Sequence, residues 1–265
     1  MIDAHLHLFE RGFDGTSEPG AELQAYLRLR QQFGIGPGLV VGYEGQQRFA
    51  GNNDHVCALA RRHDWIVPLV HLDRERLGAD PGLARDWLTA GAAGWSAYVL
   101  GTEEARAWDA LSDEVWEGLD APVPWSLNID PAALAVLTPR LARLQHTTVL
   151  LSHLGLPGRA SGTPAERLAP VVAAVRAIGH VRVKVSGLYA VAGRDETPPF
   201  PSARPYLQHM RDRVGVEHLV WGSDYTPVLA RQSFASQVDL AAYQVFSATE
   251  LGRLAADDLA RMIRR

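Results

Sequence analysis

Short apolar segments alternate with helical segments along the whole sequence, and this alternation limits the fold more than any other feature. Eight segments are predicted β-strands: 1–5, 38–43, 66–71, 93–99, 122–128, 147–153, 181–187 and 218–223. The strands are nearly continuous in apolar residues, which suits a parallel sheet covered by helices. Their starts recur every 25 to 37 residues in a chain of 265 residues. A (β/α)8 barrel has this repeat and needs about 250 residues.

Helical periodicity fills the intervals between the strands. The predicted helices cover 21–33, 46–63, 81–91, 103–119, 131–144, 164–178, 202–215, 234–247 and 251–264. Pro131 and Pro164 stand at first-turn positions, and Gly91 and Gly215 follow helix ends, as start and stop signals do.

A doubly wound open sheet is the structural alternative to a barrel. It would show a glycine-rich phosphate turn after its first strand, and residues 5–15 contain no GxGxxG pattern. No change of composition marks a second domain. We therefore predict an α/β fold, a TIM barrel that forms a single domain over residues 1–265, with 188–202 as a long loop that acts as a lid or contacts the substrate.

Composition excludes several classes of function. The chain has 26 Lys and Arg residues against 30 Asp and Glu residues, a formal charge of −4. We therefore expect no nucleic-acid partner and no anionic membrane partner. No apolar run is long enough to span a bilayer, and the start has no signal-peptide pattern. The single cysteine, Cys57, excludes an internal disulfide and fits a reducing compartment. We expect a cytoplasmic protein with a small-molecule substrate, and the oligomeric state stays open.

Polar side chains collect where the predicted strands end. His5 and His7 end the first strand, His153 ends the sixth, and Asp224 follows the eighth. The carboxyl ends of barrel strands form one rim, so these side chains should meet there. His5 and His7 are two residues apart on an extended chain and project to the same side. Three imidazoles and a carboxylate are ligands that a divalent metal such as Zn²⁺ prefers.

Three other residues of the predicted strands are candidates for substrate binding. His71 ends the third strand, although a strand-end histidine is also explained by an ordinary hydrogen bond. Asn128 ends the fifth strand and is expected in the cavity, against a role as a turn residue before Pro131. Lys184, the only lysine, should face the interior of the seventh strand. It would contact an anionic substrate group or order Asp224, or form a structural ion pair.

Two loop residues are candidates for holding a substrate carboxylate. Tyr189 lies in the long loop after the seventh strand, and Arg159 follows the sixth strand. The alternative for such loop residues is simple exposure to solvent.

Four segments carry a family resemblance. MIDAHLHLF, VLLSHLGLPG, VRVKVSGL and VWGSDYTPV occur in this order and resemble signature segments of the amidohydrolase superfamily. The resemblance is to the amidohydrolase-related branch, which contains sugar lactonases, 2-pyrone-4,6-dicarboxylate lactonase and non-oxidative decarboxylases. It covers nearly the whole chain and implies a (β/α)8 barrel. His5 and His7 would bind a metal, His153 would bind the metal or polarise the substrate, and Asp224 would be the general base.

The resemblance implies hydrolysis by an activated water, with a divalent metal, most simply Zn²⁺, or the histidines themselves polarising a carbonyl. The fourth strand carries no lysine, so a carboxylated-lysine binuclear centre is not expected. Decarboxylases of the branch have a histidine shortly after the KxSG segment, and residues 187–200 contain none. The Asn-Ala step that usually ends family members is also missing.

Three functions follow from these observations. The first is hydrolysis of a cyclic ester, either a sugar-derived or a carboxylated lactone. The second is metal-dependent decarboxylation within the same branch. The third is a barrel that binds a small molecule without turnover, which would have no need of a poised base.

Overall fold

The computed structural model describes residues 1–158 and 162–256, and it confirms the (β/α)8 barrel. Eight parallel strands follow one another around a single sheet in chain order. They are β1 Asp3–Leu6, β2 Gly38–Val41, β3 Ile66–His71, β4 Gly94–Val99, β5 Pro124–Ile129, β6 Thr148–Leu151, β7 Val181–Val185 and β8 Leu219–Trp221.

Helices cover the outside of this sheet. In the described part of the chain they are α1 Ala21–Phe33, α2 Asn52–Ala60, α3 Arg74–Ala79, α4 Leu83–Ala90, α5 Thr102–Asp109, α6 Asp113–Leu119, α7 Pro131–Leu141, α8 Pro164–Ala177, α9 Arg204–Val214, α10 Phe234–Val238 and α11 Ala248–Ala256. Pro131 and Pro164 begin α7 and α8, as predicted. None of these helices combines the length and the apolar character needed to cross a membrane.

Two predicted helices are each interrupted. The segment 46–63 forms only a short 3-10 turn before Gly51, whose φ of 80° lies in the left-handed region, and α2 begins after it. The segment 103–119 forms α5 and α6 as separate helices. Ser112 starts α6 by accepting a hydrogen bond from the N–H of Val115. Local capping therefore overrides a periodicity that continues across both breaks.

The remaining helices differ from the prediction in one segment, and one short helix was not predicted. The segment 234–247 contains α10 and a 3-10 turn rather than one helix. The segment 251–264 is helical up to Ala256 as part of α11, and its remaining positions lie outside the described residues. Helix α3 was not predicted, because it has only six residues and its main start signal is the cap at Asp73.

The barrel interior changes from apolar to polar along the strands. The part nearer the amino ends of the strands is filled by a small apolar cluster that includes Leu39, Val67, Leu69, Leu150 and Val220. The outward faces pack against the helices in the main core. Further toward the carboxyl ends, the buried interior positions are polar: His5, Ser96, Ser126, Ser152 and Lys184. The polar layer at the carboxyl ends of the strands thus lies next to a closely packed apolar layer, as in other TIM barrels.

The barrel closes between β1 and β8 with little regular pairing. One isolated bridge, Leu6 to Tyr225, joins the two ends among the described residues. The N–H of Asp224 donates to the carbonyl of His5 at 2.7 Å, and the N–H of His7 donates to the carbonyl of Tyr225 at 2.5 Å. The backbone around the candidate metal and base residues therefore forms the closure itself.

The buried carboxylate of Asp3 completes this closure. Its Oδ1 accepts hydrogen bonds from the N–H groups of His5, at 3.1 Å, and Ser223, at 2.8 Å. Its Oδ2 accepts from the Tyr26 hydroxyl of α1 at 2.7 Å. Burial raises the pKa of Asp3 to about 6, although these hydrogen bonds lower it. One side chain thus connects β1, β8 and α1.

An irregularity in β1 turns His5 toward the interior. Asp3 pairs with Gly38 of β2, whereas Leu6 pairs with Val40, so three steps on β1 oppose two on β2. Such a bulge changes the direction of the side chains that follow it. The Asp3 bond to the His5 N–H lies within this bulge.

We expect Asp3→Ala to lower the free energy of unfolding by about 2–4 kcal/mol, because two buried N–H groups lose their acceptor. Asp3→Asn keeps an oxygen at the Oδ1 position and should cost about 1 kcal/mol or less. Urea denaturation measures both changes. The exposed Asp86→Ala serves as control and should stay within about 0.5 kcal/mol. Equal losses for the two Asp3 variants would contradict the assigned hydrogen bonds.

Candidate active site

His5, His153 and Asp224 meet at the carboxyl end of the barrel, as predicted. One ligand atom from each lies within 4.8 Å of the other two. Asp224 Oδ1 is 3.6 Å from His5 Nε2 and 3.8 Å from His153 Nε2. His7 joins this group through His5, with 3.2 Å between the two Nε2 atoms.

The second ring nitrogen of each histidine faces away from this centre. His7 Nδ1 lies 2.7 Å from the carbonyl oxygen of Val41, and His153 Nδ1 lies 3.0 Å from Ser186 Oγ. His5 Nδ1 lies 3.3 Å from Ser152 Oγ. The carbonyl oxygen of Val41 can only accept, so the proton of His7 lies on Nδ1 and its Nε2 lone pair is free to bind a metal.

Burial keeps the three imidazoles neutral. It lowers the pKa of His7 to about 4 and that of His153 to about 3, and it moves the pKa of His5 well below its usual value. Desolvation is the largest cause in all three. A neutral imidazole is the form that binds metal, so the low pKa values favour ligation at neutral pH.

Asp224 is also buried, with 2% of its surface exposed. Desolvation raises its pKa to about 6, while the nearby His7, the Tyr189 hydroxyl and Lys184 lower it. Within the protein alone, burial outweighs these partners. A carboxylate with such a pKa is a better proton acceptor near neutral pH than an exposed one.

The donor set fits a Zn²⁺ ion. Ligands about 2.0–2.1 Å from a tetrahedral zinc lie about 3.3 Å apart. The ligand atoms of His5, His153 and Asp224 lie within 4.8 Å of one another, and His7 Nε2 lies 3.2 Å from His5 Nε2. Small side-chain shifts would bring them into the coordination sphere.

Two of these residues have unusual backbone conformations. His153 has a φ of 52° and Asp224 a φ of 55°, both in the left-handed region. Residues other than glycine adopt this region infrequently, and such positions concentrate at functional sites. At both positions, the chain turns out of its strand and directs the side chain into the rim.

Gly187 holds the His153 ring by leaving space for it. Its φ is 57°, and an added Cβ would lie 2.4 Å from His153 Nδ1. No larger side chain fits this position without displacing the ring. Ser186, the preceding residue, supplies the hydroxyl beside the same nitrogen.

Lys184 lies beneath His5 in the barrel interior. Its Nζ is 2.6 Å from Ser126 Oγ and 3.1 Å from His5 Nδ1, and none of its surface is exposed. Burial lowers its pKa to about 7. This position does not fit the predicted contact with an anionic substrate group. It places Lys184 as a support beneath His5, and Ser126 is a neighbour that the sequence did not single out.

The other predicted substrate-binding residues have different outcomes. Asn128 is buried at the end of β5, and its Nδ2 has no hydrogen-bond partner among the described residues. His71 ends β3, and its Nδ1 accepts from the N–H of Glu44 at 3.2 Å. Tyr189 donates to Asp224 Oδ2 at 2.7 Å. Arg159 lies outside the described residues.

Aromatic residues that sequence reasoning gave little weight complete the rim. The rings of Tyr43 and Tyr98 lie 4.5 Å apart, and His71 lies 5.4 Å from Tyr43 and 5.7 Å from Tyr98. Tyr98 pairs with Asn128 in the β4–β5 register. Strand alternation from Ser96 would have indicated that Tyr98 faces inward.

Glu22, in the first turn of α1, was also missed. Its carboxylate accepts from the N–H groups of Phe9 and Phe13 and from the Thr226 hydroxyl. It therefore connects the loop after β1 with the loop after β8. An ordinary acidic residue in the first turn of a helix gives no sequence signal for such a contact.

The chain matches the sequence profile of an amidohydrolase family over residues 2–264. It belongs to this amidohydrolase family. A search of curated proteins found no match.

Solved structures show the same fold. A probable 2-pyrone-4,6-dicarboxylic acid hydrolase from Acinetobacter baumannii with bound citric acid is 16% identical, with a TM-score of 0.75 over 99% of this chain and 98% of that one. An amidohydrolase from Burkholderia multivorans with bound zinc is 20% identical, with a TM-score of 0.73 over 99% and 98%. The 5-carboxyvanillate decarboxylase of Sphingomonas paucimobilis is 12% identical, with a TM-score of 0.64 over 100% and 98%. At these identities, the likeness establishes the shared fold alone.

We expect Gly187→Ala to lower the affinity of this amidohydrolase for Zn²⁺ by at least about tenfold, because the methyl group displaces His153. Equilibrium dialysis with metal analysis measures the affinity. Gly179→Ala is the matched control, since a Cβ there meets nothing within 4 Å. Unchanged affinity in the Gly187 variant would show that this packing does not hold a metal ligand.

Proposed function

We propose that this amidohydrolase is a metal-assisted hydrolase that opens a lactone or a related cyclic ester. One observation carries the proposal: the buried Asp224 carboxylate faces the Nε2 atoms of His5 and His153 within 3.8 Å. A proton acceptor beside groups that can hold a Lewis acid is the arrangement that activates water for attack on a carbonyl. The bound zinc of the Burkholderia multivorans structure supports the same assignment.

Each residue of the site has a defined part in this chemistry. Asp224 accepts the proton of the attacking water and returns it to the leaving alcohol oxygen. His5, His7, His153 and Asp224 would hold the metal. When bound, Zn²⁺ would supply Lewis acidity to the scissile carbonyl and make a water more acidic. In the alternative without a metal, His153 would itself polarise the reacting carbonyl.

The substrate would occupy the cavity between this centre and the rim on β3 and β5. Asn128 offers a buried amide donor without a protein partner, and His71 stays neutral because burial lowers its pKa to about 4. Tyr189 borders the base directly. We propose Asn128, His71 and Tyr189, with Arg159, as substrate contacts. The substrate is a small molecule, and we propose a cytoplasmic location from the single buried cysteine.

Asp224→Asn should lower kcat for lactone hydrolysis by about 10²- to 10⁴-fold, because the amide cannot accept the proton. A pH-stat assay on a lactone panel measures the rate, and circular dichroism checks the fold. Asp86→Asn is the matched exposed control and should retain wild-type rates. Wild-type turnover by the Asp224 variant would remove this residue from the mechanism.

A decarboxylase is the second candidate function, supported by the fold shared with the Sphingomonas paucimobilis enzyme. Residues 187–200 contain no histidine, which favours hydrolysis. Incubation with aromatic carboxylic acids and with lactones separates the two functions. We expect proton release from a lactone without carbon dioxide. Carbon dioxide release from an acid would instead establish the decarboxylase, and a ligand recovered unchanged would favour a binding barrel.

A further inference from the structure

The two oxygens of the Asp224 carboxylate have different surroundings. Oδ1 faces the imidazoles, 3.6 Å from His5 Nε2 and 3.8 Å from His153 Nε2. Oδ2 accepts a hydrogen bond of 2.7 Å from the hydroxyl of Tyr189. Among the described residues, this hydroxyl is the one hydrogen-bond donor to the side chain. The orientation of the carboxylate plane therefore depends on Tyr189.

A carboxylate at this position needs such a contact. Asp224 follows the three-residue strand β8, and its φ of 55° directs the side chain away from the strand path. Rotation of a carboxylate about its Cβ–Cγ bond has broad, shallow minima, so the backbone alone does not fix it. A charge-assisted hydrogen bond to one oxygen removes this freedom.

Tyr189 is itself held in place by its neighbours. It lies in the 3-10 turn Leu188–Ala190, in which the N–H of Ala190 donates to the carbonyl of Gly187 at 2.8 Å. Leu188 is buried in the main core with 1% of its surface exposed. The ring is half-buried. The hydroxyl is thus delivered by an anchored turn rather than by a free loop end.

We propose that Tyr189 is a positioning residue for Asp224: its hydroxyl holds Oδ2 and so keeps Oδ1 turned toward His5 and His153. That Tyr189 assists a general base rests on the proposed hydrolase function. That it orients the Asp224 carboxylate rests on the hydrogen bond between the two side chains. The four residues Ser186–Tyr189 then align two site groups at once. Ser186 and Gly187 set the His153 ring, and Tyr189 sets the carboxylate.

The first test is Tyr189→Phe, which removes the hydroxyl and keeps the ring. We expect kcat on a lactone to fall by about 10- to 100-fold, the effect of losing one charge-assisted hydrogen bond. KM should stay within about twofold, because the retained ring keeps its contact with the substrate and the lost hydroxyl acts on the chemical step. Tyr206→Phe in the outer helix α9 is the matched control and should leave both constants unchanged. A raised KM with unchanged kcat would make Tyr189 a substrate contact only and overturn the proposal.

A double-mutant cycle tests whether Tyr189 acts through Asp224. In the Asp224→Asn background, adding Tyr189→Phe should change the residual rate by less than about twofold. A further loss equal to that of the single variant would show independent action and contradict the proposal.

A crystal structure gives a result that does not depend on turnover. In the wild type, we expect Asp224 Oδ1 within about 4 Å of both His5 Nε2 and His153 Nε2, and in Tyr189→Phe we expect a rotated carboxylate. An unchanged carboxylate in the variant would overturn the positioning role. If the wild type hydrolyses no lactone while the carboxylate rotates as expected, the proposed function fails and the positioning role stands.

Discussion

The carboxylate of Asp3 is the contact on which the candidate site depends most. It binds the backbone N–H groups of His5 and Ser223 and joins the two ends of the barrel where regular pairing is sparse. Because these two residues stand in or next to the site, the contact that closes the barrel also brings His5, a candidate metal ligand, beside Asp224. Tyr26 links the same carboxylate to α1, so the first helix supports the closure.

Burial determines the chemistry of the site in two opposite ways. It lowers the pKa values of His7 and His153, which keeps both rings neutral and able to bind a metal. It also raises the pKa of Asp224 to about 6, which makes this carboxylate a stronger proton acceptor. The polar layer of the barrel interior thus contains neutral imidazoles, which can donate an electron pair to a metal, and a carboxylate that can accept a proton. The tautomer of His7 follows from the carbonyl oxygen of Val41 beside its Nδ1.

The fold and the centre of the site could be predicted from sequence because both follow periodic rules. Strand ends in a parallel barrel share one rim, which is why His153 and Asp224 could be placed together. Other contacts depend on three-dimensional detail that periodicity does not contain. The place of Lys184 beneath His5 follows from its depth in the barrel. The break at Gly51 follows from local capping that the helical pattern conceals.

The central claim is that His5, His7, His153 and Asp224 surround one point that holds a metal. An anomalous difference map collected above the zinc absorption edge, from crystals of protein loaded with Zn²⁺, tests it most directly. The account predicts a single strong peak about 2.0–2.2 Å from the histidine Nε2 atoms and an Asp224 oxygen. A map without a peak at this rim, from protein that solution analysis shows to be saturated with zinc, would contradict it.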